Sequence, residues 1–172
     1  LARIRQWFPP SSAEVLSKEA FIHERASESP ETALMLVEKE QFRLLERLPQ
    51  YIDYVRENTD DADKYHPDAY HEAFVHISGK IGPTLADISA RELSQATSDQ
   101  LIRTTKLEEQ LVTLENIVHR LSTQMLDQHD SPRAGELGRN IMESIDFMIL
   151  TAIDAIKSRD SGEIETLEML TQ

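Results

Sequence analysis

Apolar residues recur at alternating steps of four and three along separate stretches of this chain, and that spacing constrains its fold more than any other feature. Between residues 98 and 128 the series is Leu107, Leu111, Leu114, Val118, Leu121 and Met125, with charges on the far side. Residues 30–57 carry Leu34, Val37, Leu44, Leu45 and Leu48, followed by Ile52 and Val55. Beyond Pro67 come Tyr70, Phe74, Ile77, Ile81, Leu85 and Ile88, and beyond Pro132 come Leu137, Ile141, Ile145, Met148, Ile149, Ala152 and Ile156. Each series predicts an amphipathic helix with one stripe to bury. Four such helices joined by short connections bury their stripes only against each other. The predicted fold is therefore all-α, an up-and-down antiparallel bundle about 40 Å long at a rise of about 1.5 Å per residue.

Punctuation sets the boundaries. Ser29 can cap the first helix, Pro30 suits a position whose N–H is unpaired anyway, and Glu31 meets the positive end of the helix dipole. The polar run 58–66 forms a connection, and Ser131 with Pro132 opens the fourth helix after the turn chemistry of residues 129–133. Residues 158–162, SRDSG, predict another break, with a truncated last helix from Glu163 carrying Ile164, Leu167 and Leu170. Pro49 and Pro83 each remove one helical bond and crowd the carbonyl four residues earlier; Gly79 lies at that position, so GKIGP predicts a static bend. Pro9 and Pro10 forbid a continuous helix near the start. The domain reading is an irregular arm over residues 1–28, leading from a preceding membrane region, and a helical bundle over residues 29–172. With five glycines and 6% aromatic residues, no sheet is expected.

The chain has no cysteine, which excludes a disulfide scaffold, a cysteine nucleophile and thiolate-bound zinc. Its net charge of −13 is uneven: residues 1–50 hold seven basic and eight acidic residues, residues 51–172 hold 11 and 23. Such a surface repels phosphate backbones and anionic headgroups, so neither nucleic acid nor broad membrane adhesion is expected. The best apolar run, Phe147 to Ile153, lies between Asp146 and Asp154 and is far shorter than the ~20 residues a bilayer requires. The chain opens on Leu1 and stops inside a helical pattern at Gln172, as a piece of a longer protein does. Arg3, Arg5 and Trp7 match the basic and aromatic residues found just inside a membrane, although an ordinary solvated arm is the simpler reading.

No phosphate loop, nucleophile elbow, HExxH or EF-hand spacing occurs, and the expectation is a non-enzyme. His66, His71 and His76 cluster with Asp68 and Glu72. With Tyr70 and Phe74 on the core face, however, Glu72 and His76 project about 160 to 200° away, toward solvent. Glu115 and His119 sit to one side of the apolar seam. With Glu108 and with Glu136, Glu143 and Asp146 of the fourth helix they sketch a di-metal carboxylate bundle, but that architecture wants a Glu-x-x-His step and the chain has Glu-x-x-x-His. Charged bundle flanks are the simpler reading, and no catalytic, cofactor or metal residue is assigned. Glu31, Glu38, Glu40 and Glu46 read as a solvated or partner-facing side. Met35, Met125, Met142, Met148 and Met169 read as core filler.

The wording SPETALMLVEKEQFRLLERLP, after an arm with PP and AFIHERASE, resembles the segment following the membrane region of bacterial sodium-dependent phosphate cotransporter-like proteins. Residues 143–172, ESIDFMILTAIDAIKSRDSGEIETLEMLTQ, resemble the closing part of the same proteins' cytosolic extension. That extension is similar to PhoU, a helical-bundle protein associated with control of phosphate uptake. The resemblance implies a regulatory or scaffolding domain at the cytoplasmic face of the bacterial inner membrane. Its partner would be the transport domain of the same polypeptide, and a homodimer is compatible with it. PhoU proteins can bind iron or zinc through repeated Glu/Asp-x-x-x-Asp motifs. Here only Glu57 to Asp61 matches, while Asp53 to Glu57 and Asp68 to Glu72 have the spacing but end in glutamate, so no ligand is carried over. A metal-binding carboxylate bundle and a free-standing helical adaptor are the alternatives.

Overall fold

Ser29 opens the first helix as its sequence predicts, its Oγ accepting the Thr32 backbone N–H at 3.2 Å. The computed structural model describes residues 21–22, 29–58, 67–127 and 132–170. Within them lie four helices: α1 (Pro30–Asn58), α2 (Pro67–Ser89), α3 (Gln95–Asp127) and α4 (Pro132–Leu170). Pro49 and Pro83 lie inside α1 and α2 without ending either helix. The start of α3 falls three residues before the expected one. Ser94 is the reason: its Oγ accepts the Thr97 N–H at 3.2 Å and its carbonyl accepts the Ser98 N–H at 2.9 Å.

One boundary is corrected. The break expected at residues 158–162 does not occur, and α4 runs through it as one helix of 39 residues, so the described residues form four helices, with the expected truncated fifth continuous with the fourth. Arg is a good helix former, Ser and Asp are middling and Gly is poor, but none removes a backbone N–H as proline does. A single glycine costs about 1 kcal/mol against alanine, which an established helix can absorb.

Cross-helix contacts give the topology. Thr97 meets Glu31, Thr104 meets Glu38 and His119 meets Tyr51, so α1 and α3 run parallel. Ser78 meets Glu108 and His71 meets Glu115, so α2 runs against α3; Lys157 meets Glu46 as Asp146 nears Asp53, so α4 runs against α1. Helices α1 and α3 each pack on the other three, with α2 and α4 on opposite sides of this central pair.

Leu34, Val37, Leu44, Leu45, Leu48, Ile52 and Val55 of α1 are buried, as are Phe74, Ile77, Ile81, Leu85 and Ile88 of α2. The α4 stripe is different. Ile145 and Ile149 are buried beside Met142 and Ile153, whereas Leu137, Ile141, Met148, Ala152 and Ile156 are exposed. Only one side of α4 faces α1 and α3, and nothing among the described residues covers the rest. Met35 and Met148 are likewise exposed, and only Met125 and Met142 serve as core. The side chain of Met169 lies outside the described residues.

Candidate functional site: a buried polar seam

The largest departure from the hydrophobic pattern lies on α3. Its inward face is Thr104, Glu108, Leu111, Glu115, Val118, Ser122 and Met125, again in alternating steps of four and three. Leu107, Leu114 and Leu121, three members of the expected seam, are only partly buried. Helix α3 is thus rotated from the orientation its leucines suggest, and four polar residues share the core with three apolar ones. Burying them requires partners, because an unpaired buried polar group costs about 1–3 kcal/mol or more. Helices α1 and α2 supply those partners.

In the middle of the bundle, Glu108 Oε1 accepts the Ser78 hydroxyl at 2.6 Å and Oε2 accepts Gln41 Nε2 at 2.9 Å. The Gln41 amide also reaches the Thr104 carbonyl at 3.0 Å, and Thr104 Oγ1 donates to Glu38 at 3.0 Å. Burial raises the Glu108 carboxyl above its usual range, and hydrogen bonds from Ser78 and Gln41 oppose the rise.

Further along, Glu115 is 1% exposed and His71 Nδ1 lies 3.1 Å from both of its oxygens. The ring of His71 stacks on that of His119, with centroids 4.0 Å apart and planes 9° from parallel. His119 Nδ1 is 3.1 Å from the Tyr51 hydroxyl, which is 3.1 Å from Ser122 Oγ; Ser122 donates to the His119 carbonyl at 2.6 Å. All three bonds form together when Tyr51 donates to Ser122 and His119 Nδ1–H donates to Tyr51. Neutral His119 then has its proton on Nδ1, and its bare Nε2 faces Asp68 at 3.7 Å. Tyr51 in turn stacks on Tyr70 at 5.0 Å. Burial raises the Glu115 carboxyl against the opposing pull of His71; burial and then His71 lower His119, with Asp68 opposing. Two imidazoles so close disfavour double protonation. The cluster therefore sets a pair of stacked histidines against a buried carboxylate.

Several expectations are corrected here. Glu108 and Glu115 are not charged flanks but buried groups, and His71 turns inward to meet Glu115. Glu72 and His76 are exposed, as the helical geometry predicted. Asp146 lies apart from Glu108 and Glu115: it is near Asp53 and Arg56 across the α1–α4 contact, with Oδ1 buried and unpaired. Burial raises its carboxyl, Asp53 adds to this, and Glu136 and Glu143 are exposed. Glu40 is not solvated either; it is fully buried, bonded to Arg43 and to the Phe21 backbone N–H at 2.8 Å, beside buried Ile22. Glu31, Glu38 and Glu46 contact α3 or α4 residues. Glu57 and Asp53 are exposed, while Asp61, His66, Arg3, Arg5 and Trp7 lie outside the described residues.

Among the described residues no three His, Asp or Glu side chains come together as a metal-holding group. Sequence reasoning missed Tyr51, Ser122, Gln41, Ser78 and Thr104. Their signal was present for Thr104 and Ser122, which continue the spacing of Leu111, Val118 and Met125; nothing local marked the others. Fold and seam together define an all-α four-helix bundle with a partly polar interior. Comparison with protein-family profiles, with curated proteins and with solved structures finds no match for the chain.

Proposed function

We propose that this chain is a non-enzymatic, PhoU-like regulatory or scaffolding domain of a sodium-dependent phosphate cotransporter-like membrane protein. In this reading it works at the cytoplasmic face of a bacterial inner membrane. The observation that carries the reading is the role of residues 30–49. They bear the first of the two resembling stretches and lie in α1, a helix that packs on all three others in an all-α bundle. No described helix is long and apolar enough to cross a membrane, which is compatible with a domain that leaves spanning to another part of the protein.

Regulation would act through contacts. The uncovered α4 side, with Leu137, Ile141, Phe147 and Met148, is the surface such contacts would use, and the arm over residues 1–28 would pass the effect to the transport domain. Deleting the domain from the full transporter and measuring sodium-dependent phosphate uptake in vesicles tests this. The expected result is altered uptake or loss of its response to phosphate supply; unchanged uptake at every phosphate level would sink the reading. The same α4 surface favours a free-standing adaptor as second reading, in which deletion leaves uptake untouched and the chain recovers a protein partner.

A further inference from the structure

Between α2 and α3 runs an open groove of about 660 Å³, within the range of about 300–1,000 Å³ common for small-molecule sites. Its walls include Leu85, Leu101, Val112 and the Thr105 side chain, and Glu108 takes part in its lining. Gly82 keeps one wall low: a Cβ there would meet nothing within 4 Å. The groove is therefore mostly apolar and contains one buried carboxylate, only 8% exposed.

The polar network behind that carboxylate is short of donors. Ser78 gives one hydrogen bond to Glu108 and Gln41 gives another, while the second Gln41 amide proton is committed to the Thr104 carbonyl. Each carboxylate oxygen can accept about two bonds. Gln41 Oε1, in the same network, is buried with no donor among the described residues. No basic side chain pairs with Glu108 among the described residues. A buried carboxylate without a cation among the described residues, beside an orphaned acceptor and on a residue that lines an apolar groove, matches a ligand that brings positive charge, N–H donors and an apolar body.

We infer that the α2–α3 groove binds a small primary alkylammonium, its –NH3+ group against Glu108 and its tail along Leu85, Leu101 and Val112. A proton on Glu108 is the competing source of the missing donor, and burial favours it. The two differ in what they admit. A neutral, protonated Glu108 treats an alcohol and an ammonium alike, whereas an ionised one selects the cation. The inference stands apart from the transporter reading, and neither depends on the other.

Amide NMR titration of the whole chain with hexylammonium chloride and with hexan-1-ol, at neutral pH, decides between them. The expected result is saturable shifts at Gly82, Leu101, Thr105 and Val112 with hexylammonium and binding by hexanol at least about tenfold weaker, a gap of about 1.4 kcal/mol. Glu108→Gln should weaken hexylammonium by about tenfold and leave hexanol unchanged. Gly82→Leu, which adds bulk to the groove lining at a position where a Cβ meets nothing within 4 Å, should weaken both ligands. Equal binding of the two probes, hexylammonium binding undiminished in Glu108→Gln or Gly82→Leu, or no saturable shift would overturn the inference.

Discussion

At the scale of single residues, Tyr51 offers the cleanest intervention, because its hydroxyl bridges the His119 ring to Ser122 Oγ while its own ring stacks on Tyr70. Tyr51→Phe keeps the ring and removes the link. Urea unfolding should show a loss of about 1–2 kcal/mol, the range for breaking a buried hydrogen-bond network at one member; a change below about 0.5 kcal/mol would mean that the link contributes little. Glu108 gives a pH test with a defined sign. Its folded pKa is raised above the ordinary 4.5, so the stability it contributes is fully present below 4.5 and is lost as pH rises through the folded value. Glu108→Gln does not titrate. Its melting temperature relative to wild type should therefore climb as pH rises from about 4 to about 8, and parallel curves would count against a buried, strained carboxylate. His119 acts in the opposite window: its folded pKa lies below 6.5, so its contribution is lost as pH falls from 6.5 through the folded value.

At the scale of elements, the approach of α4 to α3 depends on one glycine. A Cβ on Gly138 would stand 2.7 Å from Met125 Cγ and 3.0 Å from its sulfur, too close for either to remain in place. Gly138→Leu should destabilise the bundle by about 1–3 kcal/mol through overpacking, measured by denaturant unfolding, and Met125→Ala in the same chain should recover part of the loss. Full additivity of the two substitutions would deny the contact. The same elements show how far the sequence was readable. The stripes of α1 and α2 are buried as their periodicity predicts, because each has one strongly apolar face. On α3 the leucine series and the buried series share only Leu111, Val118 and Met125. Hydropathy favours the leucines, but it carries no information about polar partners more than sixty residues away, such as Gln41 for Glu108.

At the scale of the whole molecule, charge and coverage dominate. With a net charge of −13 and few ion pairs that span helices among the described residues, the folded state repels itself more than the expanded chain does. Salt screens this repulsion, with a Debye length of about 10 Å at 0.1 M. Raising sodium chloride from about 10 mM to about 0.3 M should raise the melting temperature by a few degrees, since about 1 kcal/mol corresponds to about 2–4 °C at this size. A fall instead would mean that the cross-helix pairs, including Lys157 with Glu46, outweigh the net repulsion. The exposed side of α4 is the other global feature. Its residues belong to an apolar periodicity that the sequence displays plainly, yet a helix can bury them only if a neighbour is present on that side.

The sequence by itself determined that the chain is helical, where α1, α2 and α4 begin, and which faces of α1 and α2 turn inward. These follow from capping, proline placement and hydrophobic period, all of which act within a few residues. Tertiary structure alone decided that α3 turns Glu108 and Glu115 inward, and that His71, His119, Tyr51 and Ser122 meet. The physical reason is range. A polar side chain is stable in a core only when distant residues supply its hydrogen bonds, and that pairing exists only once the helices have packed.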